Sequence, residues 1–429
     1  MRIKRNMAAI TVALALAATG CSSGSGSGPD SGSDSDSGDQ PVSLSYGIWD
    51  QNQAPALEEI AANFNEANPN IDVEIQVTPY AQYWTKLQAA AGAGSAPDVF
   101  WMNGPNFLLY ASNGVLAPLS ENIDSDGVDT SVYPEGLMDL YSLDGEPYGL
   151  PKDFDTIGLW YNKSLFDAAG IGYPDESWTW DDVHSAAAKL TDPASGTYGI
   201  TAALEGQQDY YNTIFQAGGH VISEDGTTSG YDDPATIDGL SFWVDMIEAG
   251  SSPTLEQMTD TAPLQWFTSG KTAMFYGGSW NVTEFKKNEA LKDQIDVAPL
   301  PKGKEQATVI HGLANVVSAE SANADAAWEF VKYLGSEEAA KVQAETGTVI
   351  PAYQGTQEAW VAASPQFNLQ IFLDAADYAQ PLPVSKNTAA WNTLEAEHLT
   401  EAWALRVPVA EAATQLAEDM NAALAEEAK

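Results

Sequence analysis

Apolar and polar positions alternate from Val42 to Trp49 in the run Val-Ser-Leu-Ser-Tyr-Gly-Ile-Trp. That two-residue period predicts a strand with one face in a core. Leu57, Ile60, Ala61 and Phe64 then recur at helical spacing. Asn68-Pro69 stops that helix, because the residue before a proline is pushed out of the α region. Ile71, Val73, Ile75 and Val77 alternate again, a second strand. A further helix carries Tyr83, Trp84 and Leu87 and breaks at Gly92-Ala93-Gly94. The short apolar run Pro97–Met102 suits a parallel strand covered on both faces. Strand, helix, strand, helix, strand is the order of an α/β domain.

The pattern continues downstream. Thr179-Trp180-Asp181-Asp182 reads as a capping box, and Val183, Ala186, Ala187 and Leu190 form the apolar stripe of the helix it opens. Strand-like runs follow at Tyr198–Thr201, at Thr272–Tyr276 ahead of Gly277-Gly278, and at Asn315–Val317. Ala327, Phe330, Val331 and Leu334 line a helix capped by Gly335, and the chain from Thr388 to Lys429 is helical in composition. No short repeat is present. Periodicity alone therefore predicts an α/β protein of two lobes.

The first residues follow a different grammar. Arg2, Lys4 and Arg5 precede the apolar stretch Ile10–Ala18, which is too short to cross a bilayer, a task for about 20 residues. Ala18-Thr19-Gly20-Cys21 resembles a bacterial lipobox, with Ala18 where leucine is more usual. Cys21 is the only cysteine, so it has no internal disulfide partner. Ser22–Gln40 is almost entirely Ser, Gly and Asp, a composition with nothing to bury. The expectation is a signal peptide over residues 1–20, a lipidated Cys21 and a flexible tether over 21–41. The mature protein would then sit on the extracytoplasmic face of the bacterial cell membrane, held by its lipid alone.

Composition narrows the ligand. Lys and Arg number 18 against 60 Asp and Glu, which excludes nucleic acid as a partner, since phosphate contacts need basic side chains. Once Arg2 and Arg5 leave with the signal, Arg406 is the only arginine. Bidentate recognition of carboxylate or phosphate is thereby disfavoured. His184, His220, His311 and His398 lack ligand spacing, so no metal site and no cofactor are expected. In contrast, 13 Trp and 17 Tyr suit a neutral, hydroxylated ring, or a cation.

Several stretches, taken in order, resemble the extracellular solute-binding proteins of ABC importers, in the carbohydrate group that includes maltose-binding protein. They are Asn63–Pro69, Ala96–Val99 with Gly114–Leu119, Tyr148–Pro151 with Gly158–Lys163, Ser177–Asp182, Gly270–Met274 with Gly278–Trp280, and Gly347–Pro351. Each is weak alone; their collinear order along the mature chain is specific. The resemblance implies a two-lobe, type II periplasmic-binding-protein-like fold with a ligand cleft between the lobes. It closes by a hinge motion driven by contacts made in the shut form. On this analogy lobe one is 42–152 with 307–350, and lobe two is 153–306 with 351–429. The implied function is capture of a mono- or oligosaccharide, as a monomer and without catalysis, for delivery to the transmembrane subunits of an ABC permease.

Aromatic faces suit the C–H faces of sugar rings, while Asp, Glu, Asn and Lys suit their hydroxyls. Ligands of open α/β sheets lie beyond the carboxyl ends of strands. Trp49 and Asp50 end the first strand, and Trp101 and Asn103 end the third. Glu205 follows the strand-like Gly199–Ala203. In Gly278-Ser279-Trp280 the glycine permits close backbone approach and the indole offers a stacking face. The resemblance adds Asp153 and Asp155 in the outgoing crossing, Gly312 near the return crossing, and Tyr378 and Trp391 as late aromatics. The same fold also admits a polyamine or other cation. A surface glycoside hydrolase working through two carboxylates is a further alternative, although no stretch resembles a glycosidase motif.

Overall fold

In the computed structural model, which describes residues 41–427, the alternating segments become two sheets. The first orders its strands Ile71–Val77, Val42–Ile48, Val99–Asn103, Leu313–Val317 and Gly149–Pro151. The three N-terminal strands run parallel, while Leu313–Val317 is antiparallel to both its neighbours. The second sheet is built around Asp153–Asn162, flanked by Thr308–His311 and Thr272–Gly278, with Ala379–Pro381 and Tyr198–Ile200 outside them. Ile295–Ala298 and Ile350–Pro351 pair with opposite ends of the central strand. All ten residues of that strand are buried, because helices cover both faces. Its burial is continuous instead of alternating for that reason. Trp160 faces a core shared with Phe285, Phe367 and Phe372, whereas Leu159 faces one containing Trp243, Trp391 and Trp403.

The chain passes between the sheets at Lys152, again at Gly312, and a third time before Ile350, which pairs with Phe154. The expected start of the returning segment at residue 307 is shifted: Thr308–His311 belongs to the second sheet. Its polar groups hold it there. Thr308 Oγ1 accepts the Ile157 amide at 3.1 Å, and the Val309 amide donates to Asn212 Oδ1 at 2.8 Å. The crossing itself requires glycine, since a β-carbon on Gly312 would lie 2.2 Å from the Asp153 carbonyl oxygen.

Helix starts follow the sequence signals. Asp182 accepts from the Thr179 amide and hydroxyl at 2.9 and 2.7 Å, opening the helix Trp180–Leu190. Gly335 does follow the helix Ala324–Leu334, but with φ −83° instead of a left-handed turn. Its lack of a side chain instead lets the Tyr133 hydroxyl reach its carbonyl at 2.5 Å. Among the described residues no helix is long and apolar enough to cross a membrane. The predicted signal, Cys21 and the tether lie outside the described residues, apart from Pro41.

Candidate ligand cleft

A cleft of about 730 Å³ opens between the sheets, with residues of the three crossings (Asp153, His311 and Leu313, Val349) in its lining. The first lobe contributes the loop after its first strand, the start of the helix Tyr80–Gly92, and the end of its third strand. The second contributes the turn Gly206–Tyr210, the turn Ser279–Asn281 after Thr272–Gly278, and the helix Thr388–Trp403. Strand ends therefore do supply much of the lining, as open α/β sheets require.

Trp49 and Asp50 line it. The half-buried Trp49 ring is fixed by edge contacts to Tyr83 and Trp101, each 4.9 Å between centroids, and by Tyr80 at 5.6 Å. Tyr80 extends this wall and is 54% exposed. Asp50 accepts from the Asn52 amide at 2.8 Å and from Gln53 Nε2 at 3.0 Å, which tightens the loop. Asn103 also lines the cleft, with its Oδ1 turned back to cap the helix Gly104–Ser112. Trp101 does not. It is fully buried in a strand covered on both faces, donates its indole N–H to Tyr46 at 2.7 Å, and supports Trp49 from behind.

At the base, Lys152 Nζ contacts Asp153 Oδ2 at 2.5 Å and donates to Gln53 Oε1 at 2.8 Å. Asp153 Oδ1 accepts the Leu313 amide at 2.9 Å, so one carboxylate ties the first two crossings together. Asp155 accepts from Gln207 Nε2 at 2.7 Å and has His311 Nδ1 at 3.8 Å. Burial pushes the Asp155 carboxyl up, opposed by His311 and Gln207. His311 Nε2 accepts the Gly104 amide at 3.0 Å, which leaves Nδ1 as the nitrogen that carries the ring proton toward Asp155.

Glu205, Ser279 and Trp280 line the second lobe's wall. Gly278 does not: a β-carbon there would fall 1.9 Å from the Trp280 ring. Its contribution is room for that indole. Gly312 is likewise a crossing residue, with its carbonyl accepting from Tyr141 at 2.5 Å, and lies outside the cleft. Tyr378 falls outside too, in the turn before the edge strand Ala379–Pro381. Trp391 is fully buried in the second lobe's core, its indole donating to Ser385 Oγ at 2.8 Å. Asn392, Glu395 and Ala396 of that helix line the cleft in its place.

Glu395 is 3% exposed. Both its oxygens accept from Tyr211 at 2.9 Å, and Oε1 accepts from Tyr231 as well. Burial pushes this carboxyl up to about 7 against the pull of those phenols. Asp209, behind Glu205, is buried and pushed well above the usual carboxylate range, chiefly by desolvation. Six carboxylates line the cleft, those of Asp50, Asp153, Asp155, Glu205, Glu284 and Glu395, with no lysine or arginine among the lining residues. The arrangement can accept many hydrogen bonds and stack rings on both walls; it offers an anion no lysine or arginine. The lobes also meet at a rim, where Asn52 Nδ2 lies 3.5 Å from Glu284 Oε2 and Lys287 Nζ donates to Asn52 Oδ1 at 3.2 Å.

Sequence reasoning did not name Asn52, Gln53, Tyr80, Gln207, Tyr211, Glu284, Asn392 or Glu395 as lining residues. The strand-end rule reaches Tyr80, which follows the strand Ile71–Val77 closely. The others depend on loop paths and helix rotation.

Residues 49–341 match the family described as bacterial extracellular solute-binding protein. The chain belongs to that family. Among this solute-binding protein's relatives, the galactooligosaccharide-binding protein of Bacillus subtilis is 26% identical over 317 residues, 71% of this chain and 72% of the relative. A maltooligosaccharide ABC transporter solute-binding lipoprotein of Streptococcus pneumoniae is 26% identical over 354 residues, 80% of each. A Listeria monocytogenes ABC substrate-binding protein, solved in complex with cycloalternan, superposes with a TM-score of 0.85 at 26% identity. It covers 90% of this chain and 100% of its own. The two-lobe fold with an interlobe cleft is thus that of the solute-binding family.

Proposed function

We propose that this protein captures a neutral saccharide outside the cell and delivers it to the transmembrane subunits of an ABC permease. The observation that carries this reading is the pairing in one cleft of aromatic walls from both lobes with a lining rich in acceptors and free of lysine and arginine. Trp49 and Tyr80 on one side and Trp280 on the other suit the C–H faces of sugar rings. Asn and Gln amides and the carboxylates suit the hydroxyls around the ring edge. The relatives named for galacto- and maltooligosaccharides and the cycloalternan complex support an oligosaccharide over a single sugar. Ligand contacts from both lobes favour the closed form, and closure supplies the signal a permease reads. Cys21, lipidated, would keep the protein, as a monomer, beside that permease.

Tryptophan fluorescence titration tests this with maltotriose, a galactooligosaccharide, cycloalternan and putrescine. A saturable change with at least one saccharide is the expected result. Response to putrescine alone sinks the saccharide reading in favour of cation capture. Release of reducing ends from a bound oligosaccharide would instead make the protein a hydrolase.

A further inference from the structure

One bond between the lobes depends on a titratable side chain at the return crossing. Gly104 opens the helix Gly104–Ser112 directly after the first lobe's third strand, and its amide donates to His311 Nε2 at 3.0 Å. His311 ends the strand Thr308–His311 of the second sheet, where it lies opposite Asp155 in the antiparallel register. The imidazole thus has a partner in each lobe: a first-lobe amide at Nε2, and the Asp155 carboxylate 3.8 Å from Nδ1. Gly104 permits the approach, since a β-carbon there would lie 3.3 Å from Nε2 and 3.1 Å from Leu140 Cδ1. His311 is 4% exposed, so a bond lost at Nε2 is not simply replaced by one to water. The other histidines, His184, His220 and His398, do not line the cleft.

We propose that His311 is a proton switch at the hinge: neutral, it ties the lobes through the Gly104 amide; protonated, it releases that amide and pairs with Asp155, so acid loosens the closed arrangement. A neutral imidazole accepts at Nε2, whereas a protonated one donates from both nitrogens and meets the Gly104 N–H as donor against donor. The helix N-terminus adds partial positive charge on that side and opposes an imidazolium there. Asp155 favours it on the other side. Protonation therefore exchanges a bond between the lobes for an ion pair within the second sheet. Around the ring, Asp153 is held by Lys152 and the Leu313 amide, and the Tyr141 hydroxyl donates to the Gly312 and Met102 carbonyls. Of the elements packed on Thr308–His311, the strand Ala379–Pro381 carries no ionisable side chain, and the helix Tyr211–Gln216 carries only Tyr211, bonded to Glu395. In the turn Ala375–Tyr378, Asp377 is exposed and Tyr378 lies outside the cleft. Glu135 and Asp139, on the helix that supplies Leu140, are exposed as well. Asp155 is thus the only acid paired with the imidazole among the described residues. A ligand that favours the closed arrangement binds less tightly when that arrangement is weakened.

The test uses the full chain. In the ligand-free parent, nitrogen-15 NMR should show His311 Nε2 gaining its proton as pH falls from about 8 to about 5, with the Gly104 amide resonance moving in step. Small-angle scattering should show a larger radius of gyration at the acid end. Titrations with maltotriose, a galactooligosaccharide and cycloalternan should give, for whichever binds, an affinity about threefold to tenfold lower at the acid end, the loss of one hydrogen bond. His311→Gln keeps an acceptor but has no titrating proton, and should flatten that profile. Acid unfolding does not mimic the effect through Glu395 and Asp209, which make the fold more stable as pH falls. Resonances that do not move together, a constant radius of gyration, an undiminished acid affinity, or an acid loss that persists in His311→Gln would each overturn the switch and leave the saccharide reading standing. If no saccharide binds the parent at any pH, that reading fails, and the resonances and the scattering decide the switch.

Discussion

Lys152 and Asp153, adjacent in sequence, form an ion pair of 2.5 Å with side chains 1% and 6% exposed. The pair lies where the chain leaves the first sheet for the second, with Lys152 Nζ 4.7 Å from the centre of the Trp101 ring. A buried pair of this kind is expensive to break from one side, since the remaining charge loses its partner but stays dry. Lys152→Met should therefore destabilise the protein by about 3–5 kcal/mol, and adding Asp153→Asn should recover part of that loss. Urea unfolding of the three proteins measures both. A single variant as stable as the parent would show that the pair contributes nothing to folding.

Gly312 permits the second crossing. With a β-carbon facing the Asp153 carbonyl oxygen at 2.2 Å, Gly312→Ala must push the first two crossings apart. Destabilisation of about 1–3 kcal/mol is expected from overpacking. The altered crossing should also change the distance between the lobes, read by small-angle scattering. An unchanged scattering profile at unchanged stability would refute this.

The buried acids make stability depend on pH in a definite direction. Glu395 holds its proton more tightly folded, at about 7, than its ordinary value of 4.5. The folded state thus binds more protons than the unfolded one between those values, and stability falls as pH rises through that window. Asp209, also pushed up by burial, acts in the same sense. The fall attributable to Glu395 is on the order of 3 kcal/mol between about pH 4.5 and about pH 7. Glu395→Gln should lose less stability than the parent over that range in urea titrations. Parallel curves for the two proteins would rule the mechanism out.

Two tryptophans should separate binding from folding. Trp280 is half-buried in the cleft wall, and Trp280→Ala should weaken saccharide binding by about 1–3 kcal/mol with folding intact. Trp391 is a core residue, and Trp391→Ala should cost about 3–5 kcal/mol of stability. Calorimetric titration and thermal unfolding of both variants give the comparison. The reverse pattern would exchange their roles.

Cys21→Ser should release the protein from the membrane fraction and leave saccharide affinity unchanged. Fractionation and a fluorescence titration suffice. Continued membrane retention would remove the lipid anchor from the account.

The fold was legible because strand and helix periods differ and because the N-terminal segments keep them cleanly. Val42–Trp49 and Ile71–Val77 show their period of two directly, and the capping box at Thr179 marks a helix start. The cleft was legible where position follows from strand ends, as for Trp49, Asp50, Asn103, Ser279 and Trp280. It was illegible where rotation decides. On the helix Thr388–Trp403 the one-residue step from Trp391 to Asn392 separates core from cleft, and Glu395 looks like any other acid among 60. Trp101 shows the same limit in a strand, since full burial of Val99–Asn103 erases the alternation that would tell its faces apart.

The strand Leu313–Val317 lies between Val99–Asn103 and Gly149–Pro151. Nearly three-quarters of the chain therefore precedes this strand, the last of the sheet's five to be made. Until then its two parts have no shared ladder. The first sheet is sealed only by this late-arriving strand. In a protein that works outside the cell, the order of strands is also a timetable.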